Sequence, residues 1–135
     1  MDIVTKTTRS RMMAGIRNKN TKPEIKVRQY IHSLGVRFRL HKRIGYTRPD
    51  LTLPKWNLCI FVHGCYWHRH EGCRLASTPK TNQDFWRRKF EENVIRDKKN
   101  ISYLQGMGWK VLVIWECSTR DGSYKRILDS TFFNS

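Results

Sequence analysis

Two short runs of the chain are apolar almost throughout, and apolar residues recur at helical spacing between them. The runs occupy residues 56–62 and 109–115, a length typical of strands that are buried on both faces. The helix between them should begin at Thr81 or Asn82 and end near Gly106. Its apolar face comprises Trp86, Phe90, Val94, Ile101 and Leu104. Because a helical crossover joins parallel strands, this pattern predicts an α/β fold that contains a parallel pair.

A second helix is predicted upstream by its start and stop signals. Thr21-Lys22-Pro23-Glu24 has the form of a capping box with proline in the first turn, and Gly35 ends the segment. The apolar positions at helical spacing between these limits are Val27, Tyr30, Ile31 and Leu34. In a capping box Glu24 bonds to the backbone N–H of Thr21, which accounts for this acid without any catalytic role. Both interpretations of Glu24 stay open.

A short extended region is predicted between this helix and the first apolar run. Residues 36–41 alternate apolar with basic side chains, as in a half-buried strand, and prolines bound the extended residues 48–54. Asp50 is an isolated acid here, and it could simply pair with Arg48 or Lys42. In a protein that binds phosphates, however, a carboxylate near the anion is unfavourable unless Mg²⁺ lies between them. Asp50 is therefore a candidate magnesium ligand.

Length and charge narrow the class of partner. The 135 residues suffice for one domain with a core of its own, without disulfides. With 27 Lys and Arg against 11 Asp and Glu, the formal charge is +16, which favours nucleic acid as the partner. A membrane surface is disfavoured, because no long apolar segment or signal peptide is present. The four cysteines suit a reducing compartment, so we expect the cytoplasm, or the nucleoid of a bacterium.

Residues 1–20 are polar and basic, and their few apolar side chains cannot form a core alone. These side chains include Met12, Met13 and Ile16. The segment is either a short basic helix that lies on the partner or a frayed terminal helix. Met13 contributes to binding only in the first case.

A loop rich in histidine and cysteine follows the first apolar run. Cys65 and His70 are five positions apart and His70 and Cys73 three, a spacing that allows one tetrahedral zinc ion to be bound. Cys117 is the candidate for the fourth ligand, because it follows the second apolar run and parallel neighbours end at the same edge of a sheet. Cys59 lies within the first run and is expected to be a small buried hydrophobe.

The histidines of this loop are candidates for chemistry. A single histidine is usually a surface or core residue, but His63, His68 and His70 lie within eight positions, beside two cysteines and Trp67. A histidine can accept a proton from water near neutral pH, which suits a general base in hydrolysis.

Three motifs of this chain resemble the very short patch repair endonucleases, bacterial enzymes that nick DNA beside a T·G mismatch. The motifs are Arg48-Pro49-Asp50, the string Phe-Val-His-Gly-Cys-Tyr-Trp-His at 61–68, and Trp115-Glu116-Cys117. The resemblance, which extends from about Thr8 to Cys117, implies a restriction-endonuclease-like mixed central sheet flanked by helices, with a structural zinc site. Residues 1–135 would form a single endonuclease domain, in which residues 1–20 are a basic arm that contacts DNA.

The resemblance also implies roles for particular residues in Mg²⁺-dependent hydrolysis. Asp50 would bind the magnesium together with the backbone carbonyl of Val62. His68 would be the general base, and His63 and Glu24 would support the reaction. At position 62 the family can carry threonine, but any residue supplies the carbonyl.

Two further sets of residues follow from the same resemblance. The zinc ligands would be Cys65, His70, Cys73 and Cys117. The residues that insert between DNA bases would be Tyr66, Trp67 and Trp86, with Met13 on the opposite groove side. The pair Glu71-Gly72 makes the loop one residue longer than the family pattern, so the spacing leaves both His68 and His70 open as the zinc ligand. Tyr66 and Trp67 could alternatively pack over the zinc loop.

The implied function is a Mg²⁺-dependent, strand-specific endonuclease that nicks duplex DNA next to a T·G mismatch arising from 5-methylcytosine deamination, and so initiates very short patch repair. The expected partners are mismatched DNA and mismatch-repair proteins, and the protein is expected to be a monomer. Two alternatives remain. One is a non-catalytic zinc-containing DNA-binding module, in which Asp50 and Glu24 only pair with arginines. The other is a small restriction-type endonuclease that cuts both strands.

Overall fold

Strand β3 (Leu58–His63) is an interior strand of the sheet around which the protein folds. The computed structural model describes residues 20–133. In that range the other elements are α1 (Lys22–Ser33), β1 (Arg39–Leu40), β2 (Leu51–Leu53), a 3₁₀ turn (Pro54–Trp56), α2 (Gln83–Gly106), β4 (Lys110–Trp115), α3 (Glu116–Asp121) and α4 (Ser123–Phe133).

The described strands form one mixed sheet in the order β1-β2-β3-β4. β1 pairs antiparallel with β2 and β2 antiparallel with β3, whereas β3 and β4 are parallel. The parallel register places Leu58 beside Lys110 and His63 beside Trp115, so both strands end at the same edge. Because α2 provides the crossover between them, the predicted parallel pair and the mixed sheet flanked by helices are confirmed.

The two faces of the sheet are covered by different helices, because successive residues of β3 point to opposite sides. Leu58 and Ile60 belong to a core shared with α1 and α4, whereas Cys59 and Phe61 pack with Leu104 of α2. The core on the first side also contains Val27, Ile31, Leu51, Leu53, Ile114, Tyr124, Leu128 and Phe132. Each fully buried aliphatic side chain contributes about 1.5–3 kcal/mol relative to exposure. The sheet is therefore held in place from both sides.

Some predicted elements differ from the structure at their ends. Of the predicted strand 36–41, only Arg39–Leu40 pairs with β2. This strand, β1, is exposed at the edge of the sheet, and it ends before His41 because His41 adopts a left-handed conformation (φ 52°). Trp56 was predicted in the first apolar strand but belongs to the 3₁₀ turn. The following Asn57, also left-handed, lets the chain reverse into β3.

Helix α1 begins with the predicted cap, but one of its two bonds has a different partner. The Thr21 side chain accepts a bond from the backbone N–H of Glu24, as expected. The Glu24 carboxylate, however, accepts from the N–H of Asn20 and not from that of Thr21. It points inward toward His41, which removes it from the geometry of a regular capping box.

Helix α2 is 24 residues long and highly charged on its exposed side. Its N-cap residue is Asn82, one of the two predicted positions, although the Asn82 side chain makes no capping hydrogen bond. Across residues 20–133, none of the helices combines the length and the apolar character that crossing a membrane requires.

Candidate active site and metal centre

Three groups of potential metal-binding side chains gather where β3 and β4 end and β2 begins. Within residues 20–133, each group has ligand atoms that all lie within 4.8 Å of one another. The groups are Glu24, His41 and Asp50; His63, His68 and Asp97; and Cys65, His70, Cys73 and Cys117. The sheet topology explains the meeting, because the start of antiparallel β2 lies beside the end of β3.

Asp50 lies beside the end of β3 and is attached to it. Its Oδ2 accepts a hydrogen bond of 2.7 Å from the backbone N–H of Val62. Burial raises the pKa of Asp50 to about 7; the bond from Val62 opposes this shift, and the neighbouring Glu24 carboxyl adds to it. Without a cation, a substantial fraction of Asp50 is therefore protonated near neutral pH, and a cation bound beside it would favour the ionised form.

Glu24 reaches the same site from helix α1, with only 2% of its surface exposed. Its Oε1 lies 2.6 Å from Nε2 of His41, and a guanidinium nitrogen of Arg28 lies 3.6 Å from Oε2. Glu24 thus takes part in the helix cap and in the acidic group at once. The two interpretations left open by the sequence are compatible in the structure.

The donors around Asp50 fit a hard divalent cation. Carboxylate oxygens are the ligands that Mg²⁺ prefers, and Asp50 and Glu24 provide them on two different elements. Two buried acids repel each other when both are ionised, and this repulsion falls when a cation binds between them. The backbone contact that Val62 makes here is through its N–H, and the role of its carbonyl as a ligand stays a prediction.

His68 is oriented by a carboxylate on helix α2. Its Nδ1 lies 2.6 Å from Oδ2 of Asp97, and its ring stacks on His63 with centroids 3.9 Å apart and planes 5° apart. Burial lowers the pKa of His63 to about 4, with His68 adding to the shift, so His63 is neutral at physiological pH. Because Asp97 occupies Nδ1, Nε2 is the nitrogen of His68 that remains to accept a proton.

The predicted zinc ligands come together at the base of the loop. Nδ1 of His70 lies 3.6 Å from Sγ of Cys65 and 3.4 Å from Sγ of Cys117, and Cys73 completes the group. Trp115 stacks on the His70 ring with centroids 4.2 Å apart. The backbone N–H of Cys117 also donates to Sγ of Cys65 (3.3 Å). This contact joins the chain just after β3 to the chain just after β4, as the sequence suggested.

This group fits a tetrahedral zinc ion. Zinc bonds of about 2.0–2.3 Å place neighbouring ligand atoms about 3.3–3.8 Å apart, which matches the distances at His70. Burial raises the pKa of Cys65 to about 12, so its thiolate requires a nearby cation. His70 is the histidine that lies with the cysteines, whereas His68 faces Asp97. Cys59 is fully buried with Phe61 and Leu104 and belongs to none of these groups.

Of the predicted DNA-inserting aromatic residues, Tyr66 and Trp67 lie in the loop after β3, and Trp86 lies in the first turn of helix α2. Tyr66 and Trp67 meet edge to face with centroids 5.0 Å apart, and Trp67 lies 6.3 Å from Trp86. The Asn93 side chain donates to the backbone carbonyl of Trp67. All three rings are half-buried, so each packs against the protein and also presents a surface. Met13 lies outside the described residues.

Sequence reasoning missed two residues of the site. Asp97 was overlooked among the charged residues of α2, although an acid between Arg96 and Lys98 could have been noticed as an exception. His41 was treated as the end of a strand. Its contact with Glu24 spans 17 positions and carries no local signal.

The described residues have an α/β fold of the restriction-endonuclease-like class. The catalytic domain of the homing endonuclease I-Bth0305I superposes with a TM-score of 0.59, covering 85% of this chain and 97% of that domain at 22% identity. At this identity the likeness establishes the fold alone. The family model of the DNA mismatch endonuclease Vsr matches residues 1–74, and the chain belongs to this family.

Relatives along most of the chain agree with this assignment. The type II nicking enzyme V.XorIIP of Xanthomonas oryzae pv. oryzae is 44% identical over 82% of this chain and 80% of its own length. The DNA mismatch endonuclease Vsr of Escherichia coli K12 is 39% identical over 88% of this chain and 76% of its own. The protein is therefore a DNA endonuclease, which excludes the non-catalytic binding module, and the relatives support a nicking enzyme.

Proposed function

We propose that this protein is a Mg²⁺-dependent endonuclease that nicks one strand of duplex DNA next to a T·G mismatch. Such mismatches arise when 5-methylcytosine is deaminated, and the nick would initiate very short patch repair. The name of the Escherichia coli relative supports a mismatch substrate, and that of the Xanthomonas relative supports a single-strand cut. The net charge of +16 supports a DNA partner.

One observation carries the proposal: the aromatic pair and the oriented histidine are consecutive residues. Tyr66 and Trp67 form a half-buried aromatic pair, and His68, next in the chain, pairs with Asp97. Rings that insert between bases would therefore place His68 close to the backbone of the distorted step. A mismatched pair costs less to unstack than a matched one, so insertion favours mismatches.

The residues divide the reaction between them. Asp50 and the backbone carbonyl of Val62 would hold the magnesium ion, with Glu24 in support beside Asp50; the bound ion would neutralise charge on the phosphate and assist the departing 3′ oxygen. His68 takes a proton from water through Nε2, and the resulting hydroxide attacks phosphorus. Asp97 fixes the orientation of the His68 ring, and neutral His63 supports it by stacking. Zinc, held by Cys65, His70, Cys73 and Cys117, would be structural.

The arrangement of the whole chain on DNA is part of the proposal. Residues 1–135 would act as a single endonuclease domain, with residues 1–20 as a basic arm. Tyr66, Trp67 and Trp86 would enter the base stack from one groove and Met13 from the other.

The direct test is to incubate the protein and Mg²⁺ with duplexes that carry each possible mismatch, and to map the cut strand and nucleotide. We expect a single nick beside T·G, little cutting of a matched duplex, and no cutting with EDTA. A small restriction-type enzyme would instead cut both strands of a matched duplex, and that product would overturn the proposal.

The assignment of His68 makes a separate prediction. His68→Ala should lower the rate of nicking about 10²–10⁴-fold, the usual contribution of a general base, while DNA binding stays unchanged. Asp97→Asn should lower it less, about 10–100-fold, because the His68 ring remains but loses its orientation. Single-turnover rates and gel-shift affinities would measure both effects.

The double variant is the control for this pair. If Asp97 acts through His68, combining Asp97→Asn with His68→Ala should be no slower than His68→Ala alone. A normal rate in His68→Ala would refute the assignment.

A further inference from the structure

The chain has 27 Lys and Arg residues, and its relatives act on DNA. An arginine near the site would therefore ordinarily be interpreted as a contact to a DNA phosphate. Arg69 differs because its terminal N–H groups are already used. Nη1 donates to the carbonyls of Tyr66 (3.2 Å) and Ser77 (2.8 Å). Nη2 donates to the carbonyl of Ala76 (2.9 Å) and to the Thr78 hydroxyl (3.0 Å). These four bonds account for the four terminal N–H groups of the guanidinium.

The same guanidinium also packs against helix α2. Its central carbon is 4.0 Å from the ring centroid of Phe90, which is buried, and 5.6 Å from that of Tyr66. Arg69 therefore joins the beginning of the loop between β3 and α2, the later part of the loop at residues 76–78, and the helix that follows. The aromatic pair Tyr66 and Trp67 lies at the beginning of this loop.

The backbone of Arg69 points to the same role. Arg69 adopts a left-handed conformation (φ 54°), which is uncommon for residues other than glycine. On backbone grounds alone glycine would be preferred at this position. The side-chain bonds of Arg69 are available to offset this unfavourable conformation.

We propose that Arg69 is a positioning residue for mismatch recognition, which holds Tyr66 and Trp67 in their inserting geometry before DNA binds. The inference rests on the proposed function, because it requires that these rings probe the base stack. A loop ordered in advance loses less conformational entropy on binding, so the mismatch-specific part of the affinity depends on Arg69. The nonspecific part, which comes from phosphate contacts, does not depend on it.

The experiment compares variants by equilibrium binding to T·G and matched duplexes at several salt concentrations, without added divalent cation. Arg69→Met keeps a long side chain on Phe90 but removes every donor. We expect about a tenfold loss of affinity for the T·G duplex, within the range for losing an aromatic–base stack. Matched-duplex affinity and the salt dependence of binding should stay unchanged. Arg88→Met, at an exposed position of α2, calibrates the loss of a solvent-facing guanidinium.

Thr78→Val is the charge-neutral companion, since it removes one acceptor of Arg69 and no cation. It should lose part of the T·G preference, and its effect should not add to that of Arg69→Met. Trp67→Ala gives the reference for a missing probe, and Arg69→Met should cause little further loss in its background. Zinc content and thermal unfolding of each variant identify any that are misfolded.

Three results would overturn the inference alone, provided that the wild-type protein prefers T·G. The first is an unchanged preference in Arg69→Met. The second is an equal loss on both duplexes with the salt slope reduced by about 0.9, the value for one lost phosphate contact. The third is an unchanged preference for the T·G duplex in folded Thr78→Val. This result decides the matter if Arg69→Met loses its zinc and is therefore misfolded. A wild-type protein without any preference for T·G would overturn the proposed function, and this inference with it.

Discussion

Asp50→Asn should abolish nicking, by about 10³-fold or more, while affinity for DNA is retained. Asparagine preserves the shape of the side chain and can still accept the bond from the Val62 N–H, but it removes the negative charge needed to hold magnesium. The measurement is the single-turnover nicking rate at saturating Mg²⁺, together with a gel-shift affinity.

A second readout separates this effect from misfolding. Because burial raises the pKa of Asp50 from 3.8 to about 7, the folded protein binds this proton more tightly than the unfolded chain does. In the absence of a divalent cation, Asp50 therefore lowers the free energy of unfolding as pH rises between these two values. Asp50→Asn should unfold at the same or a higher temperature than the wild type at pH 7. A variant that nicks at the wild-type rate would exclude Asp50 as the magnesium ligand.

Cys117→Ala should lose bound zinc and much of the stability of the fold. The four-ligand cluster joins the loop after β3 to the residues that follow β4. A structural zinc ion is bound by four protein ligands, so the loss of one leaves the site incomplete. Structural zinc contributes folding free energy of the same order as the stability of a whole domain. We expect less than one zinc per chain by elemental analysis and a fall of about 10 °C or more in the unfolding midpoint.

Cys59→Ala is the matched control, because it also removes a buried sulfur. Cys59 is fully buried on β3 among Phe61 and Leu104, away from the cluster. This variant should keep one zinc per chain and lose only about 1 kcal/mol, from a small cavity. Full zinc content in folded Cys117→Ala would show that Cys117 is not a ligand.

The sequence alone determined the elements whose signals are local. The capping box at Thr21, the apolar run before His63 and the helical crossover were sufficient to predict α1, the parallel pair and α2. The spacing of Cys65, His70 and Cys73 likewise predicted a group that the structure brings together. Periodicity and ligand spacing depend on neighbours within a few positions, so a single chain carries them. The roles of individual residues in hydrolysis came from the family resemblance and not from these patterns.

Only the tertiary structure decided which side chains meet across the sheet. The pairs of Glu24 with His41 and of His68 with Asp97 span 17 and 29 positions, and no local pattern announces them. Arg69 reads as one basic residue among many until its donors are located on the loop carbonyls. Contacts of this kind depend on the path of the backbone between the partners. That path is fixed by packing of the two cores against the sheet. The free energy gained by burying apolar surface depends on how all the elements are arranged together, and not on any one local sequence.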